Sequence, residues 1–543
     1  MTRAGGFFVL VGLGVCVVLA AARFAPVRPS SPTVARAAVP ATERALPRRA
    51  GIAAAPSTED APAPAVEADS AAPSLPRYAT LTWLAVGGGA GPDSTQASLE
   101  ADIASASEVL GGQGALFFAA GAGRRVVAVA APEAELGDDA PDGLRGELAA
   151  LFGAERTLGL RYRPVQVAAR PAEGERVVET LFGQLGRPGP PLLLVVSAHG
   201  QHADTADAVR LVFWGNGAWT PRWLAAELDR AGSNAMRPLR MVVGACYSGG
   251  FGELAFAGGD AKRALPPPTE RCGLFASTWD LESSGCDPDP DRRAHEGYIR
   301  HFWASLRRQD REGRPLAAES IDFDGDGRIS LLDAHTRVRV ASTAFDVPTT
   351  TSERWLRVAV PTDAAQVIDA STAARLAATL PHELAVVSAL QRLLRLEDPY
   401  RQAASALEER DALIAEAEAE ETRASNEALD AADHIAGTLL AHWPNLADPW
   451  RSDFAPTLDR DGPAIHQALR GHPHYPAWQA ARTAKAAAGR IADRALVARS
   501  IAERLLRAVD NLRLAHHLQH TNPSAWATFL TLRRCESHVP QLR

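Results

Sequence analysis

No stretch of the chain gathers basic residues into a block. The 57 lysines and arginines are outnumbered by 64 aspartates and glutamates, and the formal charge of −7 is spread over 543 residues. Nucleic-acid binding therefore has no electrostatic footprint. Cysteine is also scarce: five residues exclude a disulfide-scaffold protein while leaving room for a bridge. Residues 24–77, rich in Ala, Pro and Ser, hold almost no large apolar side chain. Such a segment cannot bury a core and reads as an extended, disordered tether. The run Gly87-Gly88-Gly89-Ala90-Gly91 lacks the Gly-Lys-Ser/Thr that a phosphate loop needs, so it makes a poor nucleotide site. What remains is a chain 46% hydrophobic and 22% charged, ordinary for a globular protein but too long for one core.

Arg3 precedes an apolar run over residues 4–22. At about 1.5 Å per helical residue, that length approaches a bilayer core of roughly 30 Å. Residues 1–23 fit either a signal-anchor or a signal peptide cleaved near the alanines, and the length favours the anchor. Membrane association through this segment is therefore expected. Cys16, preceded by the bulky Val15, reads as apolar filler rather than a lipid-attachment site. Both readings put the rest of the chain outside the cytoplasm, where thiols can pair.

Order is expected to resume at Tyr78. Residues 79–86 and 115–120 read as strands, 96–110 and 175–185 as helices, and the charged stretch 132–145 as an excursion loop. The runs at 192–196 and 241–243 are short, apolar and bounded by glycine, as fully buried strands of a parallel sheet are. Between them Thr220 caps a crossover helix with Pro221 at its first position. A helix is expected from Phe251 and another strand over 273–278. The alternation predicts an α/β domain with a largely parallel sheet over residues 78–345.

From Leu380 the composition shifts to Ala, Leu, Glu and Arg. Leu384, Val387, Leu390 and Leu394 recur at helical spacing, as do Ile501, Leu505, Val509 and Leu512, so residues 380–543 read as a helical region. A Pro- and Trp-rich break over 443–478 separates two arms suited to coiled-coil-like pairing, self-association or partner binding. His516, His517 and His520 read as a solvated helix face rather than a metal site.

The two apolar runs each deliver a reactive side chain past the strand end: His199 before Gly200, and Cys246 before Tyr247-Ser248-Gly249-Gly250. Open α/β sheets bind ligands at that edge. A thiol becomes a strong nucleophile when an imidazole or a helix N-terminus favours its thiolate, so His199 and Cys246 form a candidate catalytic dyad. The amides of Gly200 and Cys246 are candidate oxyanion donors for acyl transfer.

These residues also carry a family resemblance. An apolar strand ending His199-Gly200, followed by one ending Ala245-Cys246, resembles the caspase–legumain group of cysteine peptidases (clan CD). Ala245-Cys246-Tyr247-Ser248-Gly249-Gly250-Phe251 and Ser284-Gly285-Cys286 are similar to the bacterial branch of the legumain-like (C13) family, over about residues 78–345. The resemblance implies a caspase-like α/β sandwich and peptide-bond hydrolysis by Cys246 and His199, with no catalytic cofactor and a protein or peptide substrate. It implies a protein of the bacterial inner membrane facing the periplasm, or a secreted one. Legumains also use an asparagine near the end of the first strand, where this chain reads Val86-Gly87-Gly88-Gly89. The resemblance places Asp280 and Glu282 near the primary specificity pocket; pointing inward they would favour a basic P1 residue, and otherwise they are solvated loop charges.

Cys272 and Cys286 flank that loop and could bridge it in an oxidising compartment; otherwise Cys286 belongs to the family's Ser-x-Gly-Cys feature and stays free. Cys535 is left without a partner on either reading. Residues 322–333 match a calcium loop, with Asp322, Asp324 and Asp326 at positions 1, 3 and 5 and Gly327 at 6. The Arg328 carbonyl and Asp333 fill positions 7 and 12, with aspartate standing where the longer glutamate usually binds, so the loop reads as a structural Ca2+ site of reduced affinity, the alternative being a solvated acidic turn that opens a helix. Two other functions compete with the peptidase: a catalytically silent scaffold of the cell envelope, and a transpeptidase or transamidase in which an amine replaces water.

Overall fold

A computed structural model of the protein describes residues 81–543, apart from 132–134, 138–139, 141–142, 153–158, 233–236, 290–296, 362–363 and 449–450. The N-terminal segment 1–23, the tether 24–77 and part of the excursion at 132–145 lie outside the described residues. Among the described helices none is long and apolar enough to cross a membrane.

The first part of the chain runs β1 (Trp83–Gly88), α1 (Ala97–Val109), β2 (Gly114–Phe118), β3 (Arg125–Ala130), α2 (Leu144–Phe152), β4 (Leu160–Pro164), α3 (Gly174–Leu185) and β5 (Leu192–Gln201). It continues through β6 (Arg210–Phe213), β7 (Gly217–Trp219), α4 (Pro221–Ala231), β8 (Leu239–Gly244), β9 (Arg271–Phe275), α5 (Tyr298–Leu306), α6 (Leu331–Ala341) and β10 (Thr349–Thr350). The fold is α/β, as the alternation predicts. Eight strands form one mostly parallel sheet, ordered β10-β9-β8-β5-β1-β2, with β6 and β7 hung from the end of β5. Only the two-residue β10 joins its path antiparallel, against β9. β3 and β4 form a separate antiparallel pair.

β5 shows why these runs become strands. Leu192, Leu194 and Val196 pack on one face with Val177 and Leu181 of α3 and Leu224 and Leu228 of α4. Leu193 and Val195 lie on the other face with Ile103 of α1, Phe302 of α5 and Val338 of α6. Side chains alternate along a strand, so a strand covered on both faces must be apolar throughout. Each such side chain contributes about 1.5–3 kcal/mol by burial. The crossover helix α4 starts where its residues dictate, with Thr220 Oγ1 accepting the Trp223 amide at 3.1 Å and Pro221 at the first position.

The second part holds α7 (Thr351–Ala359), α8 (Ala370–Arg375), α9 (Pro381–Leu394), α10 (Pro399–His442), α11 (Phe454–Arg470), α12 (Tyr475–Thr521) and α13 (Pro523–Glu536). α10 and α12, 44 and 47 residues long, run antiparallel: Asp411 pairs with Arg499 at 2.7 Å, and Gly489 lies against Glu421 farther along. At about 1.5 Å per residue each spans roughly 65–70 Å. Ala424, Ala428, Ala431 and Ala432 are buried on α10, as are Ala481, Ala488 and Ala492 on α12. α11 occupies the break between the two arms.

The α/β layer does not stop at residue 345, since β10 closes the sheet at Thr349–Thr350 and leads directly into α7. Buried charge then joins the two parts. The Glu353 carboxylate of α7 meets Arg357 at 3.1 Å and Arg507 of α12, and these guanidinium groups overcome the cost of burial and hold it down at about 2. Arg339 of α6 meets Glu383 of α9 at 2.7 Å, both nearly without exposure. Such pairs add little net stability, because desolvation offsets attraction, but losing one partner costs about 3–5 kcal/mol. Residues beyond α13 return to the α/β layer: the Gly111 amide donates to the Gln541 carbonyl at 2.9 Å and the Arg543 amide to the Val109 carbonyl at 3.0 Å.

The disulfide differs from the expected one. Cys272 bonds to Cys535 of α13, with Cα atoms 6.0 Å apart, and Cys286 is free. The reason lies in strand direction. Cys272 enters β9 opposite Arg240, far from the strand's carboxyl end, whereas Cys286 lies beyond that end. At about 3.3 Å per residue, the strand itself separates the two thiols.

Candidate active site

β5 and β8 pair in parallel, with Ser197 opposite Gly244 as the final register pair. Two residues farther on each strand stand His199 and Cys246, at the carboxyl edge of the sheet. Strand order reverses next to this pair, between β1 and β5, since β2 lies on one side of β1 and β5 on the other. Such a switch point is where an open α/β sheet leaves a crevice. The two strand ends touch at Gly200, where an added Cβ would lie 1.7 Å from the Cys246 carbonyl oxygen. Only glycine allows that approach.

The loop after β1 fixes the imidazole. His199 Nε2 lies 2.8 Å from the Ser94 carbonyl oxygen and 3.0 Å from Gln96 Oε1. A carbonyl can only accept, so Nε2 carries the proton and Nδ1 keeps the lone pair. Burial pushes the His199 pKa down, opposed by the Ser94 carbonyl, so the ring is neutral at rest and fit to act as a base. The imidazole is thus held by Gln96 and a backbone oxygen, neither of which the sequence singled out.

Cys246 is half-buried. Its Sγ donates to the Ser283 carbonyl at 3.5 Å and accepts the Ser283 amide at 3.4 Å; no hydrogen bond joins it to His199. Burial pushes the thiol up to about 11, the Ser283 backbone lowers it, and the Glu282 and Asp346 carboxylates raise it further. At rest the thiol is therefore protonated and the imidazole neutral, so a thiolate at Cys246 needs a base to take its proton. The helix expected from Phe251 is instead a 3-10 helix, Ser248–Ala255, preceded by Tyr247 in the left-handed region at φ 58°. The Tyr247 amide donates to the Leu281 carbonyl at 2.8 Å, so no α-helix N-terminus backs the thiol. Among the described residues the Cys246 amide donates to no acceptor, which leaves it free for an oxyanion beside Gly200.

The two expected specificity carboxylates separate. Asp280 Oδ1 accepts the Thr278 hydroxyl at 2.7 Å and closes its own turn. Glu282 Oε1 accepts the Tyr247 hydroxyl at 2.9 Å, next to Cys246. His202 stands between aromatic rings, edge-on to Tyr247 at 5.3 Å and stacked on Trp279 at 6.4 Å. This aromatic wall was not apparent from sequence, because its three members lie 32 to 77 residues apart in pairs beyond Tyr247's neighbourhood or in different loops.

The acidic loop draws its carboxylates together. Asp322, Asp324 and Asp326 place ligand atoms within 4.8 Å of one another, and Asp324, Asp333 and His382 do the same. Asp322 also accepts the amides of Gly325 at 2.8 Å and Gly327 at 2.9 Å, which curls the loop around it. Asp333 is committed elsewhere. It accepts the Phe323 amide at 2.9 Å, His382 Nε2 at 3.0 Å, the Ser330 amide at 2.9 Å and the Ser330 hydroxyl at 2.6 Å. Asp322, Asp324 and Asp326 thus form an acidic cluster of the kind that suits a hard cation, while Asp333, the twelfth position, is taken up in the capping box of α6. His382, from α9, is a neighbour the sequence did not indicate.

A cavity of about 1100 Å³ lies apart from all this, lined by Glu147, Arg470, Trp478 and Lys485 among others, and no nucleophile–base pair faces it. Comparison with family models, with curated proteins and with solved structures finds no match to this chain.

Proposed function

We propose that the protein is a cysteine endopeptidase working through a Cys246–His199 dyad. The observation that carries this reading is the placing of both side chains at adjacent parallel strand ends, with His199 oriented through Nε2 and its Nδ1 left basic. His199 takes the Sγ proton as the thiolate adds to the scissile carbonyl. The oxyanion is met by the Cys246 and Gly200 amides. The imidazolium protonates the leaving amine, which departs and leaves a thioester on Cys246. Water, deprotonated by His199, then releases the acid and restores the thiol.

Glu282, bonded to Tyr247 beside the nucleophile, together with the His202, Tyr247 and Trp279 rings gives the site an acidic and aromatic character that suits a cationic P1 side chain. Peptides differing only at P1 test this. Arg and Lys substrates are expected to be cleaved at least roughly tenfold faster than Asn or Asp, an advantage of about 1.4 kcal/mol. A preference for Asn or Asp removes the acidic pocket, and a chain that cleaves none of them is no peptidase of this kind.

The loop at 322–333 is proposed to hold Ca2+ as a structural ion through Asp322, Asp324, Asp326 and the Arg328 carbonyl. Calorimetry is expected to show calcium binding that Asp322→Ala removes, weaker than in loops whose twelfth residue is a free glutamate. No heat in the wild-type protein would dispose of the ion.

A further inference from the structure

The segment 281–284 brackets the thiol, and four anchors hold it in place. The Tyr247 amide donates to the Leu281 carbonyl at 2.8 Å. The Tyr247 hydroxyl reaches Glu282 Oε1 at 2.9 Å. The Ser277 hydroxyl donates to the Glu282 carbonyl at 2.8 Å. These three come from the nucleophile's own turn and the end of β9. The fourth comes from elsewhere: Asp346, between α6 and β10, has no exposed surface and accepts from Ser284 twice. Its Oδ1 takes the Ser284 amide at 2.7 Å and its Oδ2 the Ser284 hydroxyl at 2.8 Å.

We propose that Asp346 is a positioning residue for the nucleophile: by gripping Ser284 with both carboxylate oxygens it aims the preceding Ser283 amide at Cys246 Sγ, where that amide supports the thiolate. The proposal rests on Cys246 being the nucleophile. An amide aimed at sulfur 3.4 Å away gives a neutral thiol little and a thiolate much more, because hydrogen bonds to charged acceptors are roughly twice as strong. The grip is needed because a buried thiol is otherwise costly to ionise. Asp346 also has an opposing effect, since its own negative charge disfavours a second one on sulfur. Positioning and bare charge therefore predict opposite signs when the carboxylate is removed. The other titratable groups around Sγ and the segment are Tyr247 on the nucleophile's turn, Glu282 in the bracketing segment and Cys286 just beyond it, with Asp102 of α1 and Asp287 acting on Cys286 and Tyr298 of α5 facing Asp346. All of them are untouched by the substitutions below.

The test is the pH dependence of Cys246 alkylation by iodoacetamide in the full chain, read by mass mapping of the Cys246 peptide. Asp346→Ala is expected to raise the titration midpoint by about one unit and to slow alkylation near neutral pH about tenfold. Asp346→Asn keeps an oxygen for the Ser284 amide and removes the charge, so its midpoint is expected to stay or fall. Ser284→Ala keeps the charge and loses one of the two bonds; a smaller rise is expected, and this variant decides the matter if Asp346→Ala does not fold. If the alanine variants leave the midpoint unchanged or lower it, Asp346 acts as a charge or not at all, and the proposal is overturned. Alkylation needs no peptide hydrolysis. The expected midpoints with no peptide cleaved therefore remove the peptidase reading alone.

Discussion

Cys246→Ala is expected to abolish covalent labelling by an acyloxymethylketone probe and to leave no measurable peptide cleavage. The thioester needs that sulfur, and Cys286, the other unpaired thiol among the described residues, is half-buried against the core, where burial raises its pKa well above the ordinary value. His199→Ala is expected to slow labelling by about 10²–10⁴-fold near neutral pH, the usual contribution of a positioned base. The loss has a distinctive pH dependence. With burial holding the thiol at about 11, raising the pH ionises it without help, so labelling of His199→Ala should recover as alkali is approached. At the acid end the wild-type protein should stay active below the ordinary histidine range, because burial keeps His199 deprotonated there. Equal labelling of wild type, Cys246→Ala and His199→Ala would end the dyad.

The second large effect concerns the crosslink. Replacing both Cys272 and Cys535 by serine opens a bond joining residues 263 positions apart. Closing a loop that long restricts the unfolded chain strongly, and removing such a bridge costs about 2–5 kcal/mol. Cys272 lies 1% exposed and Cys535 2% exposed, so the serine hydroxyls would be buried in place of a covalent bond. A clear drop in unfolding temperature under non-reducing conditions is the expected result, and Cys286→Ser should show none of it. A non-reducing peptide map should contain a Cys272–Cys535 peptide. A map with Cys272 joined to Cys286 contradicts the structure.

What could be read from sequence was whatever the local pattern enforces. β5 and β8 were legible because strands covered on both faces leave an unbroken apolar run, and their reactive side chains follow directly. The long helices announced themselves by periodicity. β10 did not, since Thr349 and Thr350 are too few to show any period. β4, with arginines alternating along a half-buried strand, lacks the apolar signal, whereas β3 carries one in Val126, Val127 and Val129 that was not taken up. The support of His199 was hidden for another reason: Ser94 contributes a backbone oxygen, which any residue has, and Gln96 acts across 103 residues. The crosslink was misassigned because proximity in sequence says nothing about which end of a strand a thiol occupies. His382 on Asp333 and Asp346 on Ser284 join separate elements, and no spacing rule reaches that far.

The return of residues 537–543 to the α/β layer has a consequence for how the molecule is made. The Leu331 amide, at the start of α6, waits for the carbonyl of His538, and Gly111 and Val109 wait for Gln541 and Arg543. Synthesis runs from the amino end, so the strands that carry His199 and Cys246 leave the ribosome long before the chain that seals their flank. A nascent or prematurely terminated product would hold both reactive side chains on an unfinished scaffold. The α/β half is thus made first and completed last.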